Sequence, residues 1–215
     1  MPVKLNEREY RKVDFALMET RNDDQGGMIV EGYATTFNQP YELMRYQDMI
    51  VNEQVDAHAF DETDMTDTIM QYDHEGPVFA RISNGTLRIE PDEHGLKITA
   101  NLGGTERGRQ LFEEISGGYV NKMSIGFNVK GETNKRTKDG NGNVVILRTL
   151  TKIGRLFDVS VVSVPANDAT EISARSIGDG LIAEAKKELL AEQERREKVG
   201  EIRRLLNMEA KHNDD

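Results

Sequence analysis

The run Leu156-Phe-Asp-Val-Ser-Val-Val-Ser-Val164 narrows what this chain of 215 residues can fold into more than any other stretch. Valine is stiff at χ1 and packs well on a pleated surface, and four valines with Leu156 and Phe157 in nine residues make a strand, stopped by Pro165. Phe157, Val159 and Val161 alternate with Asp158, Ser160 and Val162. With valines on both sides, both faces of this strand are expected to be covered.

Alternation of the same period recurs upstream. Val13, Phe15 and Leu17 alternate and, after Gly26-Gly27, are followed by Met28 to Ala34, which predicts two paired strands. From Val78 to Leu102 a short strand, the Asn84-Gly85 turn, Leu87 and Ile89, a turn at Asp92–Gly95, and Leu96, Ile98, Ala100 and Leu102 predict an antiparallel meander. Tyr119–Lys130 places Met123, Ile125, Phe127 and Val129 on one face and Lys122, Ser124, Gly126 and Asn128 on the other. Gly131–Asn143 is almost free of apolar residues and reads as a long, mobile hairpin tip, with strand resuming over Val144–Leu150. Helices are predicted from about Asp56 to Gln71 and from Thr105 to Ile115. The second opens on a threonine cap and closes at Gly117-Gly118.

Charged residues make up 31% of the chain, but 18 of them lie in the last 38 residues, from Gly178 on. The chain therefore reads as an ordinary folded body with a charged extension. Leu181 to about Met208 has helical spacing, with one apolar stripe at Ile182, Ala185 and Leu189 and another at Val199, Ile202 and Leu206. Flexible Ile177-Gly-Asp-Gly180 is expected to join this tail to the body, which makes the joint a candidate for self-cleavage. A net charge of −10 opposes nucleic-acid binding, which needs a surplus of Lys and Arg on one face. No stretch approaches the roughly 20 apolar residues of a membrane span. Without cysteine there is no disulfide, no thiolate zinc site and no cysteine nucleophile.

Nucleophilic chemistry would then fall to a serine activated by a base. Among His58, His74, His94 and His212, His74 is the candidate, because its loop Tyr72-Asp-His-Glu-Gly-Pro77 sits just before a strand and can be held against a sheet. Taken singly, Ser124 reads as a polar residue on a solvent face and Asp158 as an edge acid. Together, a serine and an acid on the polar faces of strands, with a loop histidine between, would meet the contact order of a triad. Lys122, two residues from Ser124 on the same face, leaves a Ser–Lys dyad open.

Gly32-Tyr-Ala-Thr-Thr-Phe37, Ala59-Phe60, Asp73-His74, Lys122-Met-Ser-Ile-Gly-Phe127 and Phe157-Asp-Val-Ser-Val-Val-Ser-Val-Pro-Ala-Asn167, in this order, resemble the prohead (head-maturation) serine proteases of tailed bacteriophages. The likeness covers roughly residues 28 to 170. The family is similar in fold to the herpesvirus assembly proteases, a β-barrel flanked by helices, and its members cut scaffolding or capsid protein inside the immature shell and often themselves. The resemblance implies Ser124 as nucleophile, His74 as base and Asp158 as third member. It also implies work inside the prohead in the host cytoplasm, with capsid precursor or scaffolding protein as substrate and self-association open. The herpesvirus relatives use a second histidine as third member, and none follows Ser124 before the tail. The His74 loop lacks the fuller family pattern, and no arginine can be assigned to the oxyanion, for which a backbone N–H is expected. No cofactor is expected. The rival reading is a non-enzymatic capsid-assembly or scaffold-binding protein of the same fold. The expected architecture is α+β: a mainly antiparallel, barrel-like sheet with flanking helices over residues 10–175, and a helical tail over 176–215 serving targeting, scaffold contact or self-cleavage.

Overall fold

A computed structural model describes residues 8–13, 19–22, 27–163 and 168–212. In chain order the elements are β1 (Arg8–Val13), β2 (Glu19–Asn22), β3 (Met28–Thr36), β4 (Tyr41–Tyr46), β5 (Met49–Val55), β6 (Ile69–Tyr72), β7 (Glu75–Arg81), β8 (Leu87–Pro91), β9 (Gly95–Asn101), α1 (Glu106–Ser116), β10 (Lys122–Lys138), β11 (Val144–Val162) and α2 (Asp168–His212). The chain is mostly β, with a curled, half-barrel sheet and two helices among the described residues. This is an α+β architecture with fewer flanking helices than expected. Most of the alternation read over Val13–Met18, and the Pro165-Ala-Asn167 ending, lie outside the described residues.

The larger sheet runs β1-β10-β11-β5-β4, with β6 also on β11 and β7 on β6; the smaller runs β2-β3-β9-β8. Pairing is antiparallel except that β11 lies parallel to both β5 and β6. The sheets are thus mainly antiparallel, as expected, with two parallel pairings, both on β11. The main core sits between the sheets, where Val30, Ile98 and Ala100 of the smaller face Met123, Ile125, Phe127, Val159 and Val161 of the larger, with α1 adding Leu111, Phe112 and Ile115. Thr105 caps α1 as its sequence predicts, accepting a hydrogen bond from the Gly108 N–H at 3.0 Å.

Four expectations change, each because tertiary pairing overrides local pattern. The helix predicted over 56–71 is a set of turns ending in β6. Asp56 and Asp64 divert their side chains to backbone N–H groups two residues on, and the backbone of this segment bonds to Leu150, Ile153, Gly154 and Leu156. It thereby fills the stretch of β11 between its β5 and β6 partners. The Asn84-Gly85 turn, with Gly85 at φ 74°, joins β7 of one sheet to β8 of the other, so it makes a corner rather than a hairpin. The expected mobile tip is mostly strand, because polar Glu132–Lys138 pairs residue for residue with Val144–Leu150. Only 139–143 turn, closed by Asp139, which accepts from the Asn141 and Asn143 N–H groups. Finally, α2 runs unbroken through Ile177–Gly180. Ile177, Leu181, Ile182 and Ala185 share a face buried on Met49, Val51, Val144 and Ile146, which offsets the roughly 1 kcal/mol each that Gly178 and Gly180 cost a helix. The anticipated flexible joint is therefore part of a packed helix, whereas Leu190, Val199 and Ile202 farther along it are exposed.

One face of β5 and β11 changes character along its length. Met49 and Val51, with Val144 and Ile146, pack under α2, whereas Val55 and Leu150 belong to the main core. Between them lie Glu53 and Arg148, both with no exposed surface. Arg148 reaches Glu53 at 2.5 Å, Glu9 at 3.1 Å and Glu132 at 2.5 Å, and Arg11 reaches Glu53 at 2.5 Å and Glu9 at 2.5 Å. The Tyr41 hydroxyl also donates to Glu53. Burial would push the Glu53 carboxyl up, but the charge and hydrogen bonds of Arg11, with Arg148, overcome this and pull it down to about 2.

A carboxyl at about 2 in the fold and at its ordinary 4.5 in the unfolded chain contributes stability that is complete above pH 4.5 and is lost as pH falls toward 2. Glu53→Gln leaves two buried guanidinium groups undercompensated and is expected to cost about 3–5 kcal/mol at neutral pH. Urea unfolding followed from pH 7 to pH 3 should show both that loss and a shallower acid dependence in the variant. Equal stability of the two proteins at neutral pH would contradict this.

Candidate active site

Ser124 lies near the start of β10, paired with Lys12 of β1 on one side and Ser160 of β11 on the other. The strand's polar side is covered rather than solvent-facing, and Ser124 is 2% exposed. Two positions along, Gly126 pairs with Asp158. A Cβ at Gly126 would overlap the Asp158 carboxylate and come within 3.1 Å of the Arg8 guanidinium, so the missing side chain is the space the carboxylate leans into. A register shift beside this pair leaves Phe157 without a partner and gives its expected core place to Leu156, which pairs with Phe127. Phe157 instead lies against the guanidinium groups of Arg8 and Arg155.

His74 arrives from the β6–β7 hairpin. Tyr72 pairs with Glu75, so the turn has two central residues, Asp73 at φ 49° and His74 at φ 61°. Left-handed backbone at both matches a type I′ turn and the twist of its strands, but costs residues other than glycine roughly 1–2 kcal/mol each. Asp73 secures the turn. Its carboxylate accepts from the Ser163 N–H at 2.9 Å and hydroxyl at 2.6 Å, and its own N–H donates to the Val161 carbonyl at 2.9 Å. The end of β11 thus fixes where the imidazole points.

The structure brings the three remote residues together. His74 Nε2 lies 2.6 Å from Ser124 Oγ and His74 Nδ1 lies 2.6 Å from Asp158 Oδ1. An ionised carboxylate only accepts, so Nδ1 carries the proton and Nε2 is free to accept from the serine hydroxyl. Asp158 has no exposed surface. Burial pushes its carboxyl up, but the His74 hydrogen bond and charge, the Ser160 hydroxyl and Arg8 outweigh that and hold it below the ordinary carboxylate range. The other described histidine side chains lie elsewhere: His58 is exposed beside Asp61, and His94 is exposed and packs against Tyr33. The side chain of His212 is outside the described residues.

Sequence reasoning missed the groups around these three. Ser160 donates to Asp158 Oδ1 at 2.6 Å, Arg8 pairs with Oδ2, and the Tyr10 ring packs on the His74 ring at 4.4 Å between centroids. Ser160 was visible as the residue two along from Asp158 on the same face. Arg8 and Tyr10 carried no signal, because Arg-Glu-Tyr-Arg-Lys-Val is mostly charged and lacks the apolar alternation of a strand.

A family profile described as Caudovirus prohead serine protease matches residues 16–181. No curated protein matches the chain. Among solved structures, the bacteriophage T4 capsid assembly protease, gp21, is similar at 12% identity over 73% of this chain and 99% of that one, with a TM-score of 0.38.

Gly126→Ala is expected to drive the Asp158 carboxylate out of its gap and break its bond to His74. In proton NMR the downfield His74 Nδ1–H resonance should disappear while the circular dichroism of the sheet is kept. A retained resonance would mean that the gap is not what seats the carboxylate.

Proposed function

Because the chain belongs to the caudovirus prohead serine protease family, we propose that it is a serine endopeptidase with Ser124 as nucleophile, His74 as base and Asp158 as third member. Its substrates are capsid or scaffolding protein inside the immature phage head in the host cell, and its own chain is a further one. The observation that carries this reading is the unbroken relay Ser124 Oγ, His74 Nε2, His74 Nδ1, Asp158 Oδ1, with 2.6 Å at each hydrogen bond.

The chemistry follows from these contacts. His74 Nε2 takes the hydroxyl proton as Ser124 Oγ bonds to the substrate carbonyl carbon, and the carbonyl electron pair moves to oxygen. The imidazolium then faces a buried carboxylate, which stabilises the positive charge where water does not screen it. Collapse of the tetrahedral intermediate breaks the C–N bond, and His74 returns its proton to the departing amine. Water, deprotonated by the same Nε2, adds to the acyl carbon; the carbon–Oγ bond then breaks, the acyl group leaves as the acid, and His74 returns the proton to Ser124 Oγ. Asp158 stays ionised throughout, held so by His74, Ser160 and Arg8 against its burial. It keeps the tautomer that leaves Nε2 able to accept.

His74→Ala with Lys122 intact should lower peptide hydrolysis by on the order of 10³-fold or more. Asp158→Asn, which favours the wrong tautomer, should lower kcat by roughly 10³–10⁴-fold while the fold is kept. Full activity of His74→Ala would transfer the base role to Lys122 and end the triad reading.

A further inference from the structure

The strand β1 lies before residue 16, where the family match begins, yet it touches two of the three proposed catalytic side chains. It is the edge strand of the larger sheet and pairs antiparallel with β10 from Arg8↔Asn128 to Val13↔Met123, passing beside Ser124. Its side chains are used on both faces. Arg8 and Tyr10 point toward the site: the Arg8 guanidinium pairs with Asp158 Oδ2 and lies over the Tyr10 and Phe157 rings at 5.1 and 4.9 Å, while Tyr10 packs on His74. Glu9 and Arg11 enter the buried ion layer at Arg148 and Glu53. Among its described side chains, charge pairs and three ring contacts to other elements, Arg8 on Phe157, Tyr10 on His74 and Arg11 on Phe127, therefore hold this strand, with no aliphatic burial.

We propose that β1 is a positioning strand whose docking on the edge of β10 completes the active site, with Arg8 and Tyr10 as the positioning residues. The inference rests on the peptidase reading above. Asp158 needs an occupant for Oδ2, since Oδ1 already accepts from His74 and Ser160. Arg8 supplies it through the opening at Gly126 and fixes the plane of the carboxylate. Tyr10 closes the exposed side of an imidazole that a two-residue turn alone would leave free to rotate about χ1 and χ2. With β1 undocked, the carboxylate loses one of three donors and the ring loses its backing, so the relay geometry on which proton transfer depends is no longer held. Arg8 is 38% exposed, so its pair with Asp158 forms at the rim of the site, where salt screens it.

The experiment compares the full chain, Arg8→Ala, Tyr10→Ala and Tyr10→Phe, and a chain lacking residues 1–13 with and without a synthetic peptide of those residues. Arg8→Ala and Tyr10→Ala should each lower kcat by about 10- to 100-fold with KM changed less than about twofold, since a misplaced catalytic group costs rate rather than ground-state binding. Tyr10→Phe should match the full chain, because the ring and not the hydroxyl meets His74. The shortened chain should be nearly inactive, and the added peptide should restore hydrolysis saturably and less well at high salt. Should that chain not fold, the point variants decide, since they keep the β1–β10 ladder. If Arg8→Ala and Tyr10→Ala keep the kcat of the full chain, or if the shortened chain is fully active alone, the inference is overturned. If instead the full chain shows no hydrolysis that Ser124→Ala abolishes, the peptidase reading itself fails.

Discussion

A carboxylate without exposed surface organises the candidate site of this molecule. Asp158 sits on the central strand of the larger sheet, and a buried negative charge of that kind persists only if donors replace the water it gave up. Three donors do so, and each comes from a different place in the chain: the imidazole of His74 from a hairpin turn, the hydroxyl of Ser160 from the same strand, and the guanidinium of Arg8 from the N-terminal edge strand. The opening that admits the carboxylate is the absent side chain of Gly126, two residues from Ser124 on the neighbouring strand. Satisfying one buried charge thus draws together the serine strand, the histidine turn and β1.

The second buried charge cluster acts on the same strand from the other face. Glu53 and Arg148 divide the apolar surface under α2 from the main core, and they hold β1 through Arg11 and Glu9. Such a layer contributes less net stability than apolar residues of equal volume would, because desolvation of the ions offsets much of their attraction. What it adds is register. A shift of β1 by one residue would turn Glu9 and Arg11 to the Asp158 side and Arg8 and Tyr10 into the ion layer, breaking charge pairs on both faces. Position along β10 is therefore specified by electrostatics where the sequence offers little apolar patterning.

That division explains how much was legible beforehand. The valine-rich run, the Met123-to-Val129 alternation, the Thr105 cap and the β8–β9 hairpin are local signals, and the elements formed where they predicted. Ser124, His74 and Asp158 were legible because the sequence resembles a family, not because their spacing specifies an encounter 50 and 84 residues apart in sequence. The failures share one cause. Residues 56–64 form short turns whose remaining backbone groups bond to β11 instead of closing a helix, Glu132–Lys138 borrows its order from the apolar strand it pairs with, and Gly178 lies inside a helix because Ile177 and Leu181 are buried beside it. A window of ten residues contains none of those partners. The same holds for β1, whose fitness as a strand depends on acceptors and donors scattered from Glu53 to Asp158.

The measurement that bears most directly on the account is covalent labelling of the protein, within assembled proheads, by a fluorophosphonate, with the modified residue located by mass spectrometry. The account predicts one adduct, on Ser124 Oγ, formed at a rate that collapses when His74 is replaced. No adduct on Ser124, or one formed as fast without the imidazole, would contradict it and leave a capsid-assembly protein that keeps the family's fold without its chemistry.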